Sequence, residues 1–416
     1  MIRKHLKQNE CFYDPSRFKF VLAGRRGGKT YLITEDILKT AAAMPPYAEI
    51  FYFAPTNMQA VELIWEPLEY RMDRLGWKYQ PKISKQRFEL PGKRKIYVIG
   101  MEKVRRVRGH ALAKAYLDEI CFYDGDINKV WRAVRPALAD LRGGAIFSTT
   151  PNGKGTSAYE FYRDQIEKPG WKYFHWCSLD NPYLDQEEIQ DAKTELDEKS
   201  FRQEYEASWE SFEGLAYYSF DESLNIKNTR EIDYTLPLTL AFDFNVNPTT
   251  LLVSQWHIDG MHYKKEYSFK NSSTEDTVKA FCDDFKSQAA NVKIQIRGDA
   301  AGSARSSNTG RSDYEYVCEI LTAHGFRWEK QIMTHNPAIV DRVKKVNSYL
   351  KNFEGLPRIF INPCCGDLIK DLSSQETKGR LPSDKGNLGH KADALGYDIY
   401  YQDRVQKITP VATRIL

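Results

Sequence analysis

The stretch Phe18-Lys19-Phe20-Val21-Leu22-Ala23-Gly24-Arg25-Arg26-Gly27-Gly28-Lys29-Thr30 decides how this chain is read. Its first part, 18–22, is an apolar run of strand length. Its last part fits G-x-x-x-x-G-K-[ST], with Ala23 where the first glycine would stand. A helical pattern follows over 30–44. Strand, glycine-rich turn and helix in that order make a cradle for phosphate. The glycines let backbone N–H groups curl around phosphate oxygens, and the new helix points its positive end at them. In such a cradle Lys29 reaches the β- and γ-phosphates and the Thr30 hydroxyl sits on Mg²⁺. A glycine-rich turn with a solvated lysine is the competing reading, and the strand–loop–helix context weighs against it.

Working outward, apolar runs at 50–54, 95–100, 113–117 and 145–148 read as further buried strands. Helical patterns at 58–75 and 127–139 lie between them. This alternation predicts a parallel sheet covered on both faces. The run 113–117 ends in Asp118-Glu119, which supplies the other half of a nucleotide site. Asp118 belongs in the Mg²⁺ shell, and Glu119 orients and deprotonates the attacking water. Two surface acids at a strand end would be the bland reading of that pair in isolation. Arg25 and Arg26 lie inside the loop. One acts as an arginine finger in cis, or both neutralise phosphates or DNA, and the sequence leaves the two roles open. Ser148-Thr149-Thr150-Pro151-Asn152-Gly153 ends the next strand with groups able to sense a γ-phosphate, Thr150 among them. A hydrogen-bonded turn is the alternative.

Composition bounds the rest. The chain has 416 residues, 60 Lys+Arg, 56 Asp+Glu and a formal net charge of +4. At roughly 100–200 residues per domain this is two or three domains. With 42% hydrophobic and 28% charged residues the chain is globular rather than disordered. No run is long and apolar enough to span a membrane, and residues 1–5 lack the apolar stretch of a signal peptide. The seven cysteines, 11, 121, 177, 282, 318, 364 and 365, are odd in number and show no zinc spacing. They read as reduced structural thiols of a cytosolic chain. Adjacent Cys364-Cys365 are either redox-active or simply packed.

The near-neutral total hides an uneven distribution. Between Lys82 and Lys114 there are eleven Lys/Arg and only two acids, Glu89 and Glu102. An acidic stretch over 185–209, expected as one long helix, balances it. Basic clusters of this kind neutralise phosphate without reading sequence, although a charge run is more often a solvated face. One arginine of Arg105–Arg108 could instead contact a neighbouring subunit's nucleotide.

Residues 214–235 show no amphipathic period and are expected to be a linker. Beyond it the pattern changes to three consecutive strands, 238–244, 249–256 and 261–269, with Asp259-Gly260 as a hairpin turn. A helix (274–289), a strand (292–297), two helices (314–324 and 339–353), a strand (358–361) and a last helix (391–401) follow. Asp243 sits inside the first of these strands, where an acid is costly unless paired or metal-bound. Asp299 ends the fourth, and Asp393 starts the last helix. In this element order the first strand is central and can adjoin both, so the three carboxylates converge on hard Mg²⁺ or Mn²⁺ ions. Two ions about 4 Å apart activate water and stabilise the leaving oxygen of a phosphodiester. Each aspartate alone would more often be a cap. His390, a turn before Asp393, reaches this site, caps the helix or contacts DNA.

A Walker-type ATPase followed by an RNase H-like nuclease resembles the large terminase subunit of tailed bacteriophages over nearly the whole chain. The motifs carrying it are Ala23 to Thr30, Tyr116 to Glu119, Ser148 to Gly153, Asp243, Asp299 and His390 to Tyr397. The resemblance implies an α/β protein, with an N-terminal RecA-like P-loop (ASCE) ATPase domain over 1–213 and a C-terminal RNase H-like mixed-sheet nuclease over 236–416. The ATP site would use Ala23, Gly24, Arg25, Arg26, Gly27, Gly28, Lys29, Thr30, Asp118 and Thr150. It implies ATP-driven movement of double-stranded DNA into a capsid and Mg²⁺- or Mn²⁺-dependent cutting of concatemers. The partners would be DNA, a portal protein, a small terminase subunit and further copies in a ring, with a monomer compatible with the free state. The place would be the cytoplasm of an infected bacterium and, transiently, the capsid portal, with no membrane. Asn245 departs from relatives that carry another acid there, and 404–416 has no role in this scheme. A repair or restriction nuclease-helicase without a capsid shares both chemistries, but helicases place two motor domains in one chain and only one P-loop is present here. A non-catalytic DNA scaffold would not need Lys29, Asp118, Glu119 and three aspartates intact.

Overall fold

A computed structural model describes residues 4–244, 249–269, 273–305, 310–378, 381–383 and 388–408. Asn245 and the end of the chain, 409–416, fall outside these residues. The chain forms two compact units, Met1–Asp191 with Phe201–Ser211 and Ala192–Ser200 with Phe212–Leu416.

The first unit is built on eight strands. They are β1 (Phe18–Ala23), β2 (Glu49–Ala54), β3 (Gln80–Lys82), β4 (Arg87–Leu90), β5 (Arg94–Gly100), β6 (Leu112–Leu117), β7 (Gly144–Thr149) and β8 (Trp171–Trp176). Their order is β3-β4-β5-β2-β6-β7-β1-β8. The six from β5 to β8 are parallel; β3 and β4 run antiparallel at one edge. Every residue of β1 and β2 is buried, because helices cover both faces of a parallel sheet. Side chains alternate between two cores. Val21, Ala23, Ile50 and Tyr52 enter one, and Phe20, Leu22, Phe51 and Phe53 the other. Lys19, buried inside β1, is satisfied by the carbonyls of Cys11 and Asp14, each 2.6 Å from Nζ.

The second unit carries β9 (Leu238–Asp243), β10 (Thr250–His257), β11 (Gly260–Ser268), β12 (Lys293–Gly298), β13 (Arg327–Lys330) and β14 (Ile359–Ile361). The order is β13-β12-β9-β10-β11-β14. The strands β9, β10 and β11 form an antiparallel meander, while β12 lies parallel to β9. This is the RNase H-like arrangement, with β9 in the middle. Helices form a separate core on each face, one against Leu240 and Phe242, the other against Ala241 and Leu252.

Three expectations are corrected. Residues 214–235 are not a linker but part of the second unit. Ala216 and Tyr217 are in its core, Leu215 bridges Glu376, and Ile226 bridges Ile361. The segment lacks a helical or strand period because isolated bridges hold it and its one helix, Glu222–Asn225, is a single turn. The acidic stretch is two helices, Gln186–Glu195 and Glu198–Tyr205. Asp197 breaks it, since its carboxylate accepts the Ser200 amide at 3.0 Å and so caps a new helix. The strands β3, β4, β8 and β13 and the helices Leu6–Tyr13, Ser157–Ile166 and Gly366–Ser374 are additional to those expected. No described helix is long and apolar enough to cross a membrane. All seven cysteines are free thiols, and Cys364 is exposed whereas Cys365 is buried.

Candidate functional site

In the first unit the strand ends carry the chemistry. After β1 the chain leaves through Gly24, whose amide bonds the Trp176 carbonyl at 3.1 Å. A Cβ at Gly24 would lie 2.4 Å from Ser178 Oγ and 2.5 Å from the Tyr205 carbonyl. The residue that must be glycine is therefore Gly24, while Ala23 still belongs to the buried strand and tolerates its methyl. Gly28 has φ +82° and precedes the helix Lys29–Ala43, a conformation that favours glycine. The loop carbonyls are pinned from outside. Trp176 Nε1 donates to Gly27 O at 2.7 Å, Gln8 Nε2 to Gly28 O at 2.8 Å, Ser178 Oγ to Arg25 O at 2.6 Å and Asn181 Nδ2 to Arg26 O at 2.7 Å. With its carbonyls held outward, the loop keeps its remaining N–H groups for a ligand.

Strands β6 and β7 end beside it. Lys29 is buried, donates to Thr150 Oγ1 at 2.7 Å and lies 3.4 Å from Glu119 Oε1. Asp118 is fully buried and accepts hydrogen bonds from Ser148 Oγ at 2.6 Å, Tyr52 Oη at 3.0 Å and the Glu119 amide at 3.0 Å. Burial, with the Glu119 charge adding to it, pushes the Asp118 carboxyl up to about 6. Glu119 has φ +50°, a strained backbone for a glutamate and a signature of functional positions. Arg25, Arg26, Lys29, Thr30, Glu119 and Thr150 line one open cavity of about 640 Å³. The structure therefore brings together the loop, the acidic pair and Thr150. Arg25 is mostly exposed, its Nε 3.6 Å from Glu204 Oε2.

The basic segment is less available than its composition suggests. Arg87 pairs with Glu89, Lys95 with Glu49 and Lys114 with Asp36. Arg94 donates to the Ala41 and Pro91 carbonyls, and Arg106 to Gln86. Much of the charge read as a DNA face neutralises internal acids and carbonyls.

In the second unit Asp243 ends β9 and Asp299 follows β12. The register pairs Phe242 with Gly298, and the Asp299 amide donates to Phe242 O at 3.2 Å, so the aspartates follow on adjacent strand ends. Asp243 is buried, with Oδ2 3.0 Å from His390 Nδ1; this contact raises the His390 pKa against the effect of burial. Asp393 stands one turn on in the helix His390–Ile408 and is paired with Arg342. Burial pushes the Asp393 carboxyl up to about 6, with Arg342 opposing and Asp243 adding to the rise. Asp299 Oδ1 accepts from Ala301 N and Asn336 Nδ2, both at 2.7 Å.

Among the described residues no group of three or more His, Cys, Asp or Glu side chains is placed to hold a metal ion. Asn336 holds Asp299 and Arg342 holds Asp393. The donor set still fits a hard divalent cation in kind.

Comparison with known proteins extends this over the chain. The family model for the N-terminal part of the T4likevirus-type terminase large subunit matches residues 20–224. The terminase large subunit of Escherichia phage T5 is 25% identical over 412 residues, 93% of this chain and 87% of its own. The large terminase of a thermophilic bacteriophage superposes with a TM-score of 0.59 at 15% identity, covering 96% of this chain and 98% of that one. The same phage protein in complex with ATP-gamma-S gives 0.58 at 15% identity, covering 95% and 98%.

The chain is similar to large terminase subunits in sequence and in fold.

Several residues of this chain escape a motif reading. Tyr52 stands mid-sheet and looks like core, yet its hydroxyl binds Asp118. Gln8, Trp176, Ser178 and Asn181 are remote from the loop in sequence. Arg342 and Asn336 lie in segments without motif character. A buried polar group in an apolar run is a usable signal for Tyr52; the others become visible only through topology.

Proposed function

We propose that this chain is a large terminase subunit, an ATP-driven motor that moves double-stranded DNA into a capsid and cuts concatemeric DNA with a divalent metal. The observation that carries the motor reading is the junction at which Lys29, Thr150, Glu119 and Asp118 meet beside the loop. Bound ATP with Mg²⁺ supplies the phosphoryl group that passes to water. Lys29 would neutralise the β- and γ-phosphate oxygens, and Thr30 and Asp118 would hold the ion. Glu119 orients the attacking water and takes its proton. Thr150, bonded to Lys29, links β7 to the γ-phosphate position. Arg25 or Arg26 neutralises charge on the transferring group, as a finger in cis or as a phosphate clamp.

In the second unit Asp243, Asp299 and Asp393 would hold Mg²⁺ or Mn²⁺, which activates water towards phosphodiesters. His390 orients Asp243. The partners are DNA, a portal protein, a small terminase subunit and further copies of this chain in a ring, in the cytoplasm of an infected bacterium. The single P-loop unit favours this over a repair or restriction helicase. Purified protein with ATP, DNA and empty capsids should protect DNA from DNase. Absence of protected DNA while both hydrolytic activities work would overturn the packaging reading in favour of repair.

A further inference from the structure

The helix His390–Ile408 carries two residues of the proposed cutting site in its first turn, yet it has no cap of its own. Gly389 precedes it, with φ +108° and no side chain to offer. The cap comes from elsewhere. Asp371, on the helix Gly366–Ser374, points its Oδ2 at this N-terminus and accepts the Lys391 amide at 2.9 Å and the Ala392 amide at 3.3 Å. Asp371 is buried, at 4% exposure. A carboxylate buried at that level is costly unless hydrogen-bonded, and these amides, with the positive end of the helix, compensate it.

The same turn aims the site. His390 is its first residue, with Nδ1 3.0 Å from Asp243 Oδ2. The Asp393 amide closes the turn on the Gly389 carbonyl at 2.7 Å. Gln375, the residue that caps the neighbouring helix, also packs close to Gly389, where a Cβ would lie 2.4 Å from its Nε2. Both ring and carboxylate thus take their direction from a turn that Asp371 anchors.

We propose that Asp371 is a positioning residue of the cutting site. It sets the first turn of the last helix, which brings His390 to Asp243 and places Asp393 one turn further on, and it touches neither substrate nor ion. The inference rests on the metal-nuclease reading of the second unit.

The test uses the full chain and three proteins: wild type, Asp371→Ala and Asp371→Asn. The asparagine keeps an acceptor oxygen for the amides and drops the charge. Mn²⁺ binding is read by calorimetry, amide exchange at Lys391 and Ala392 by hydrogen–deuterium exchange, and plasmid cutting across a Mn²⁺ series. Asp371→Ala should weaken Mn²⁺ binding about 10-fold or more, in the range of outer-shell replacements. It should also speed exchange at the two amides, raise the Mn²⁺ needed for half-maximal cutting and leave ATP hydrolysis unchanged. Asp371→Asn should recover most of each effect. Unchanged Mn²⁺ binding and Mn²⁺ dependence in Asp371→Ala, with only a lower melting temperature, would overturn the proposal and leave Asp371 a structural cap. If Asp371→Ala does not fold, Asp371→Asn decides: near-wild-type Mn²⁺ binding with slowly exchanging amides supports the proposal, and fast amide exchange with unchanged Mn²⁺ binding overturns it. A wild type that neither binds Mn²⁺ nor cuts would instead sink the nuclease reading itself.

Discussion

Glu119 holds φ +50°, which costs a non-glycine residue on the order of 1–3 kcal/mol. Nothing about packing demands this, since the side chain is partly exposed and its partner is Lys29. The conformation instead turns the carboxylate into the cavity beside the loop. Function and stability should then separate at this position. Glu119→Gly removes the carboxylate and the strain together. Its melting temperature should equal or exceed that of the wild type, while ATP turnover falls about 10²–10⁴-fold, the range of a lost general base. Nucleotide binding should persist. Wild-type turnover in this variant would remove Glu119 from catalysis. The glycines give a second separation. Gly24→Ala forces a methyl against Ser178 Oγ and the Tyr205 carbonyl, so it should cost several kcal/mol, by analogy with overpacking. Ala23→Gly should cost less than about 1 kcal/mol, the usual penalty of glycine in a strand. Chemical denaturation of the two variants checks the order. The reverse order would place the tight position of the loop at residue 23.

At the scale of elements, the hairpin β10–β11 carries a titratable clamp. His262 is buried, accepts the Arg230 amide on Nδ1 at 3.3 Å and faces Asp259 Oδ1 from Nε2 at 3.0 Å. An amide donor at Nδ1 requires a lone pair there, so this ring is bonded as the neutral tautomer. Burial lowers its pKa to about 4, with Asp259 opposing. The sign follows from linkage. The unfolded chain takes up a proton near pH 6.5 and the folded chain does not, so stability falls as pH drops from about 6.5 towards about 4. The loss should reach about 3 kcal/mol at about 1.36 kcal/mol per pKa unit, and His262→Gln should flatten that part of the curve. Equal slopes for wild type and variant in denaturant titrations between these pH values would refute the clamp. Elements also mark where sequence reading stops. The strand β1 and its loop are legible because a strand buried on both faces is an unbroken apolar run, and a loop that binds phosphate needs a fixed pattern. The edge strand β8, Trp171–Trp176, mixes Lys172 and His175 with aromatics and is only partly buried, so no period shows. The stretch 214–235 is silent for a similar reason, as single bridges and a one-turn helix leave no repeat. Asp243, Asp299 and Asp393 could be placed on their elements from sequence. Their partners Arg342 and Asn336 could not, because those contacts depend on how helices and loops pack around the strand ends.

At the scale of the whole molecule, the two chemistries lie in units with separate cores. The loop and the acidic pair sit over the two cores of the first unit, and Asp243 over the two cores of the second. A local change at Asp243 therefore has no shared core through which to alter the nucleotide site. Asp243→Ala removes the carboxylate that meets His390 and one expected ligand of the ion. The cost to folding should be confined to the second unit and amount to about 1–3 kcal/mol, the scale of one buried polar partner lost. Mn²⁺-dependent plasmid cutting should fall below detection while ATP hydrolysis stays within about twofold of the wild type, inside the ±0.5 kcal/mol spread of changes remote from a site. Both rates are measured on one preparation, so misfolding would reveal itself by lowering both. Cutting at the wild-type rate would exclude Asp243 from the metal site. Loss of both activities in a protein whose melting temperature is preserved would show instead that the two units are energetically coupled.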